Sequence, residues 1–263
     1  MARGRLSDIM TFLSRIATVF FVVALPLLLV TANVRFIAGD LSFYKHGFRS
    51  YDSAQATGIA LPELDRAGGE IIDYFENDAS TLRIVVNEDG QEVSLFNARE
   101  TEHMKDVKAL IRAVYRVNEV SLAYVLIYIT GVFLWAGERS LRSLAVQAMI
   151  GVGAGFATIA GIGIFALTGF NSAWSRFHEI VFRNDFWKLN PDTDHLIQMF
   201  PEGFWQEATY IVGALTAAEA VLIVVVSLAY LHFGRAGSPA PPARGRRISA
   251  ATARKRPERP LPG

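Results

Sequence analysis

The run IATVFFVVALPLLLVTANV, residues 16–34, decides the fold class of this chain. It contains no charged residue, and Arg15 and Arg35 bracket it. A helix needs about 20 mostly apolar residues to cross a bilayer, so this run predicts a membrane helix. A cleaved signal peptide is the alternative, but the apolar part is longer than the roughly 7–15 residues of a signal core. The sequence therefore favours a retained first membrane helix.

Three further apolar stretches have the length and composition of membrane helices. They cover residues 119–137, 144–170 and 208–233. The last stretch includes Glu219, which is costly inside hydrocarbon and is expected to face the helix bundle, in a packing role or on a proton path. The mean hydropathy of +0.27 fits this reading. We predict a mainly α integral membrane protein with four transmembrane helices and a small α+β domain between the first two.

The distribution of charge predicts the orientation in the membrane. Residues 33–118 carry 10 Lys/Arg and 14 Asp/Glu, and residues 171–207 carry 3 and 6. The N-terminus (1–15), the short link at 138–143 and the tail at 234–263 are basic. Because Lys and Arg favour the cytoplasmic side, both termini are expected there. The predicted location is the cytoplasmic (inner) membrane of a bacterium, with the two acidic loops on its outer side.

The first outer segment, residues 35–118, is long enough for a small domain. Apolar residues at helical spacing predict a helix over 61–77. Runs 81–86 and 92–96 are β-prone and flank the turn signal Asn87-Glu88-Asp89-Gly90, which predicts a hairpin. Asn97 and Glu100 have the spacing of a capping box, so a helix is expected from Ala98 toward Asn118 and into the second span.

The second outer segment, residues 171–207, is rich in aromatic side chains. It holds three of the four Trp residues of the chain. Trp favours the boundary between membrane and water, so a helix over 171–182 is expected near that boundary. Asp192 is predicted to cap a second short helix that ends near Phe200, before Pro201.

The tail at 234–263 combines eight Lys/Arg with six of the ten Pro residues. Its low apolar content predicts disorder. A basic tail on the cytoplasmic side is suited to contact anionic lipid headgroups. Nucleic-acid binding is the weaker interpretation, because basic tails beside a membrane span usually fix topology only.

Several classes of chemistry lack support in the sequence. The absence of Cys excludes disulfides, thiolate nucleophiles and Cys-ligated metals. No Gly-x-Ser-x-Gly elbow is present. Glycines within 151–163 mimic a nucleotide fingerprint, but inside a span they are better interpreted as helix packing through small residues. They are Gly151, Gly153, Gly155, Gly161 and Gly163.

Two histidines are the leading candidates for chemistry. His103 has Asp106 at i+3, on the same face of a helix. His178 follows the outer end of the third span, so both side chains belong to the outer face near membrane level. Imidazole, with a pKa of about 6.5, can take and return a proton near neutral pH. Taken singly, each also fits a hydrogen-bonded structural histidine.

A metal site is the rival interpretation of the histidines. It would use His103, His178 and His195 with Glu102, Glu179 and Asp194. No His-Glu-x-x-His run or other dense ligand spacing supports it. The predicted site therefore has no metal.

The segments that carry these histidines resemble the family of bacterial lipoprotein intramolecular transacylases. The His103-Met104-Lys105-Asp106-Val107-Lys108 block is the most specific part of the resemblance. With the four spans, the resemblance covers about residues 10–232; the basic tail is not part of it. The other resembling blocks lie at 57–64, 72–75, 95–100, 177–180 and 187–204.

The resemblance implies an acyltransferase whose two family histidines match His103 and His178. The implied reaction moves the sn-2 acyl chain of a diacylglyceryl-Cys lipoprotein to its N-terminal amine, without a cofactor. It implies a lipoprotein and membrane lipid as partners and no nucleic acid. One His would act as base and the other as acid or oxyanion donor. Four further residues are candidates for lining or bracing the site: Asp106, Trp174, Trp187 and Asp194.

Two other functions stay open from the sequence. One is a family member with a different lipid or amine substrate, because a family does not fix the substrate. The other is a non-enzymatic membrane protein that binds a partner through the domain at 35–118.

Overall fold

The computed structural model describes residues 2–88, 90–135, 138–167 and 169–234. Within them the chain is mainly helical and has one pair of strands. Of the predicted tail at 234–263, residues 235–263 lie outside the described residues. The elements are α1 Ala2–Gly39, α2 Leu41–Ser50, α3 Ser53–Thr57, α4 Leu61–Glu76, β1 Val85–Glu88, β2 Gln91–Ser94, α5 Ala98–Trp135, α6 Glu138–Leu167, α7 Phe170–Val181, α8 His195–Met199 and α9 Glu202–Phe233.

Four of the helices are long and apolar enough to cross a membrane. The candidate spans lie in α1, α5, α6 and α9. Their most apolar windows are only 11–17% buried within the protein. Apolar side chains in such number on the outside of a helix bundle require lipid as their neighbour. The predicted membrane protein with four helices and a small strand-containing domain is confirmed.

The helices extend beyond the predicted spans. Helix α5 has 38 residues, which is about 57 Å at 1.5 Å per residue and exceeds the hydrocarbon thickness. Its charged first half therefore continues the second span out of the hydrocarbon. Helix α9 begins at Glu202 and not at 208, because Pro201 ends the preceding segment and opens this helix. Helix α6 covers Glu138–Leu167 and α7 begins at Phe170, so the described helix α6 is three residues shorter at this end than the predicted span 144–170.

Helix α1 is the centre of the membrane bundle and contacts α5, α6 and α9. Its backbone meets α6 closely at Gly151 and Gly155, where any Cβ would collide with Val22 or Pro26. The interpretation of these two glycines as packing residues is therefore correct. It was wrong for Gly153, Gly161 and Gly163, where a Cβ would meet nothing within 4 Å. The buried core here consists of Phe21, Leu25, Val125, Val152 and Ala220.

A polar contact joins α1 and α9 inside the bundle. The side-chain amide of Asn33 donates to Glu219 Oε2 at 3.0 Å and to Thr216 Oγ1 at 3.1 Å. Glu219 therefore has a hydrogen-bonding partner inside the bundle, which a carboxyl group needs in an apolar medium. The contact agrees with a packing role.

The strand pair is the predicted hairpin with shorter strands. Strands β1 and β2 are antiparallel, with Val86 opposite Val93 and Glu88 opposite Gln91. The backbone of Asn87 and Glu88 thus belongs to β1, and Gly90 directly precedes β2; residue 89 lies outside the described residues. Gly90 has a φ of 85°, a conformation that glycine adopts without strain. The predicted four-residue turn was too long, because Asn87 and Glu88 belong to the strand pairing.

The small domain packs around the N-terminal half of α5. Helix α4 covers Leu61–Glu76 and ends one residue before the predicted end. Its buried face joins α2, the hairpin, α8 and the start of α9 in one core. The largest fully buried side chains of this core include Phe48, Ile59, Leu64, Ile71, Tyr74 and Met199. The domain fixes the position of the first turns of α5.

Candidate functional site

His103 and His178 meet at the end of the bundle that carries the small domain. His103 lies in the first two turns of α5, and His178 lies near the end of α7. Their ring centroids are 5.9 Å apart. The two residues are only 6% and 7% exposed. Two helices that are distant in the chain thus bring two imidazoles into one buried position.

The tautomer of His178 is set by the backbone of its own helix. Its Nδ1 lies 2.8 Å from the main-chain oxygen of Trp174, one turn earlier. A carbonyl oxygen only accepts hydrogen bonds, so Nδ1 carries the hydrogen and Nε2 keeps a free lone pair. Burial lowers the pKa of His178, although the bond to Trp174 acts in the opposite direction. His178 is therefore a neutral imidazole at neutral pH.

His103 has a different environment. Its Nδ1 is buried and has no hydrogen-bonding partner among the described residues. The rings of His103 and Phe182 meet edge to face, and their centroids are 5.1 Å apart. A buried nitrogen without a partner is rare, and such atoms are concentrated where a ligand or a reaction uses them. His103 thus has a ring nitrogen that no described protein group uses.

Aromatic rings surround His178. Trp174 meets it edge to face at 4.7 Å, and Trp187 lies at 5.0 Å. Trp174 also stacks on Trp205 of α9 at 4.9 Å. These rings desolvate the imidazole and hold its plane. Phe177 and Phe182 complete the surroundings, each at 5.4 Å.

A cavity of about 230 Å³ opens on one side of the two histidines. We call it the indole cavity, because Trp174, Trp187 and Trp205 line it. Glu202 and Asn171 contribute its main polar groups besides the histidines. Its remaining lining residues are Tyr44, Ile71, Phe75, Met104, Val107, Leu189, Leu196, Ile197, Phe200 and Phe204.

A second cavity of about 440 Å³ shares both histidines and extends between the membrane helices. We call it the apolar cavity, since its walls are almost entirely hydrocarbon. Helices α1, α5 and α9 supply most of it through Val34, Val114 and Val212 among others. The remaining lining residues are Ile37, Ala38, Phe43, Tyr44, Phe75, Val107, Leu110, Ile111, Trp174, Phe177, Phe182, Phe204, Trp205, Ala208 and Thr209. This cavity has the chemistry required to hold a lipid chain beside the histidines.

The loop at 182–194 holds Trp187 over the site and is tied to α5. Asn184 donates its side-chain amide to Asp106 Oδ2 at 2.8 Å. Arg99 donates to the main-chain oxygen of Asp185 at 2.7 Å. These bonds fix the loop relative to His103, which lies on the same helix as Asp106 and Arg99.

Two carboxylates brace the start of α5 against α8. Glu100 is 1% exposed and accepts from the backbone N–H of Asn97 at 2.8 Å and of Leu196 at 2.6 Å. Asn97 in return accepts from the Glu100 N–H at 3.1 Å, so the predicted capping box is confirmed. The Asn97 side chain also donates to Asp194 Oδ1 at 2.9 Å. One polar network thus joins the two segments beneath the site.

The structure distinguishes the predicted site residues by what they contact. Trp174 and Trp187 line the indole cavity, together with His103 and His178. Asp106 and Asp194 line neither cavity and instead hydrogen-bond the neighbouring loop and the capping box. Asp194, and not the predicted Asp192, directly precedes α8, because Asp192 lies in a turn closed by Asn190 Oδ1. Helix α7 covers Phe170–Val181, one residue earlier than predicted.

The candidate metal ligands are not gathered in one place. His195 bonds the Leu95 carbonyl through Nδ1 at 2.7 Å, Glu102 pairs with Lys105, and Glu179 pairs with Arg176. Among the described residues, no three His, Asp or Glu side chains are arranged to hold a metal ion.

Sequence patterns did not single out several residues of the site. Trp205 was noted only as part of an aromatic-rich segment, and Glu202 only as part of a resembling block. Phe75 and Val107 belong to apolar helix faces, which a sequence cannot distinguish from ordinary core. Only the packing of α4, α5 and α9 around the indole cavity shows that these residues line the same site.

Comparisons with known proteins agree with this arrangement. The family model "Lipoprotein intramolecular transacylase Lit" matches residues 19–205. An uncharacterized protein of Aquifex aeolicus (strain VF5) is 28% identical over 178 residues, which are 64% of this chain and 77% of that protein. The solved structure of the membrane integral lipoprotein intramolecular transacylase Lit from Bacillus cereus is similar in fold, with a TM-score of 0.68 at 16% identity. That match covers 86% of this chain and 99% of the Bacillus protein.

A second structure of the Bacillus protein, with one histidine replaced by arginine, gives a TM-score of 0.69 at 16% identity. That match covers 90% of the present chain and 100% of the Bacillus chain. The shared architecture therefore extends through the membrane helices and the small domain.

Proposed function

Because the chain belongs to the family of lipoprotein intramolecular transacylases, which are acyltransferases, we propose that it acts on a diacylglyceryl-modified lipoprotein. The proposed reaction moves the sn-2 acyl chain from the glycerol oxygen to the α-amine of the N-terminal Cys of the same molecule. The product is an N-acyl lipoprotein with one chain left on its glycerol.

The observation that carries this proposal is the meeting of two cavities at the two histidines. The apolar cavity suits the acyl chain that is to be moved, and the indole cavity suits the glyceryl-Cys headgroup. His103 and His178 line both cavities, so an ester that joins chain and headgroup would lie beside them. Lipid chains already lie in hydrocarbon before they bind, so the apolar cavity would contribute position more than hydrophobic free energy.

The reaction balances without a cofactor or water. The neutral amine attacks the ester carbonyl, a C–N bond forms, and a tetrahedral oxyanion results. Its collapse breaks the bond between the carbonyl carbon and the glycerol oxygen. The amine nitrogen loses a proton and the glycerol oxygen gains one. The net change is the transfer of one acyl group and one proton in opposite directions.

We assign the base role to His178 and the donor role to His103. Nε2 of His178 has a lone pair because its Nδ1–H is engaged by Trp174. That lone pair would take the proton of the attacking amine. The ring N–H of His103 would stabilise the oxyanion by a hydrogen bond, and the proton taken by His178 would pass to the leaving glycerol oxygen. The 5.9 Å between the ring centroids leaves the two imidazoles on either side of one small reacting group.

The remaining predicted residues support this pair. Trp174 and Trp187 would hold the His178 ring and exclude water from it. Asp106 and Asp194 would act through the loop and the capping box that they bond. Because donor and acceptor are parts of one substrate, holding them together removes much of the entropic barrier.

The charge pattern gives the proposed setting. The acidic segments 35–118 and 171–207 would lie outside the cytoplasmic membrane of a bacterium, and both termini inside. The histidines would then face the outer leaflet, where mature lipoproteins carry their lipid. Membrane lipid would surround the opening of the apolar cavity.

Expression in a bacterial host that lacks N-acylation of lipoproteins tests the proposal. Mass spectrometry of a reporter lipoprotein should show the N-acyl, lyso form with wild type. It should show the unconverted diacylglyceryl form with His103→Ala or His178→Ala. His46→Ala is the matched control, since this exposed histidine on α2 lines neither cavity. Full conversion by both site variants would refute the roles of the histidines, and acylation of another amine by wild type would refute the substrate.

A further inference from the structure

Glu202 is a charged group at the site that the proposed reaction does not yet use. It is the first residue of α9 and the only carboxylate among the described residues that line the indole cavity. Its carboxylate has no ion pair or hydrogen bond within the part of the chain that the structure describes. Glu202 is exposed, so its negative charge lies where the cavity meets solvent, and no cation among the described residues pairs with it.

The position of Glu202 at the start of a helix explains an acidic residue there, but it does not explain why that residue lines the cavity. An acidic residue in the first turn is favoured by the helix dipole, whatever it faces. The second acidic residue near this end, Glu207, instead pairs with His46 at 3.2 Å and accepts from Tyr51 at 3.0 Å, away from the cavity. Glu202 differs because it shares a cavity with both histidines.

The aromatic walls of the indole cavity favour a cation, as the carboxylate of Glu202 does. Trp205 lies at i+3 on α9, hence on the same face of the helix, and it stacks on Trp174. Trp187 lines the same cavity from the loop at 182–194, and one protein cation, Lys188 Nζ, already lies 5.4 Å from its ring centroid. Indole faces attract cations through their π-electrons, and a carboxylate adds a charge-assisted hydrogen bond. Aromatic walls with one carboxylate form a receptor for an ammonium group.

We propose that Glu202 and the indole rings of this cavity bind the α-ammonium group of the lipoprotein substrate. This inference rests on the proposed function, which requires such a group. An α-amine has a pKa of about 8 and is mostly protonated in neutral water. Glu202 would hold the cation in the cavity that His178 also lines. The ammonium loses one proton to solvent before it attacks, and His178 takes the second proton from the nitrogen as the C–N bond forms. Glu202 is therefore a positioning residue for the amine and a determinant of specificity for a free N-terminus.

The carboxylate would also change the titration of the bound amine. A negative charge favours the protonated amine and raises its pKa. Removal of the charge by Glu202→Gln should therefore raise KM and move the rise of kcat with pH to lower pH. If Glu202 only stabilised the start of the helix, Glu202→Gln would lower the stability of the protein and leave the pH profile of kcat unchanged.

Binding of unreactive substrates tests the inference separately from turnover. The probes are two ether-linked lipopeptides with a dialkylglyceryl-Cys, one with a free amine and one with an N-acetyl group. Purified wild type in nanodiscs should bind the free amine about fivefold more tightly at neutral pH, as for an ion pair at an accessible site. Glu202→Gln should lose this preference, and Glu202→Asp should keep most of it. Glu207→Gln is the control with the same charge loss on the same helix and should keep it fully.

The outcomes separate the inference from the proposed function. If wild type binds neither lipopeptide, the proposed function is refuted. If it binds both equally, or if Glu202→Gln keeps the preference, the ammonium site is refuted alone. A diether phosphatidylethanolamine carries the same ammonium chemistry on a phospholipid. Displacement of the free-amine probe by equal amounts of that phospholipid would overturn the assignment to the lipoprotein.

Discussion

The Nδ1 atom of His178 lies 2.8 Å from the main-chain oxygen of Trp174, and the two rings meet edge to face at 4.7 Å. One residue thus fixes both the tautomer and the plane of the imidazole. Because a backbone atom makes the bond, no single side-chain substitution of Trp174 removes it. The orientation of the proposed base is therefore a property of helix α7 itself.

The pH dependence should report the lowered pKa of His178. The base is active when neutral, so its contribution is lost only as the pH falls below its pKa. The logarithm of kcat/KM should rise with slope one between about pH 6.5 and 8, where only the substrate amine titrates. It should steepen toward slope two below pH 6.5. Initial rates with purified enzyme check this, and a steepening that begins above pH 7 would contradict it.

The hydrogen bond between Asn184 and Asp106 should keep the loop at 182–194 in its position over the site. Asp106→Ala and Asn184→Ala should each lower kcat/KM about two- to tenfold, the equivalent of one lost hydrogen bond. The double variant should lose no more than the worse single variant, since both remove the same bond. Asp106→Asn retains an acceptor oxygen and should remain near wild type. An equally poor Asp106→Asn would show that the charge beside His103 matters more than this hydrogen bond.

The buried carboxylate of Glu100 should be important for stability. Glu100→Ala leaves the N–H groups of Asn97 and Leu196 without an acceptor, which costs about 1–3 kcal/mol for each buried group. Its melting temperature in detergent should fall clearly below that of wild type. Glu102→Ala is the matched control, because Glu102 makes only a half-exposed ion pair with Lys105. Equal melting temperatures for the two variants would contradict the bracing role.

Filling the apolar cavity should disturb catalysis without unfolding the protein. Val212→Trp introduces an indole into the wall of this cavity and should displace the acyl chain from the histidines. A misplacement of about 1 Å costs about a hundredfold in rate, so kcat/KM should fall by about tenfold or more. Val221→Trp lies on the opposite side of α9, is 61% exposed and serves as control. Equal activity of Val212→Trp and wild type would show that the chain binds elsewhere.

The membrane helices were predictable because the bilayer imposes a simple rule on sequence. An uncharged run such as 16–34 has few alternatives to a membrane helix. The capping box was also predictable, since Asn97 and Glu100 interact within one turn. Helix ends were less predictable. The end of α6 at Leu167 lies inside a run whose composition does not change there.

The meeting of the histidines was predictable only in part. Charge and topology in the sequence predict that His103 and His178 share one face of the membrane, but the 5.9 Å separation of their rings depends on how α7 folds back onto α5. Residues such as Phe75 and Val107 become site residues through the same packing. Glu202 was hidden for another reason: an acidic residue at the start of a helix is common, and its relation to the cavity exists only in three dimensions.

The most direct test of the central claim is the position of a labelled acyl chain after turnover. Purified enzyme would receive a diacylglyceryl lipopeptide with a deuterated sn-2 chain, in unlabelled lipid, and fragment-ion mass spectrometry would locate the label. We expect the deuterated chain on the Cys nitrogen in all product formed by wild type, and no product with His178→Ala. An unlabelled chain on the nitrogen, or labelled product with His178→Ala at the wild-type rate, would contradict intramolecular transfer by the histidine pair.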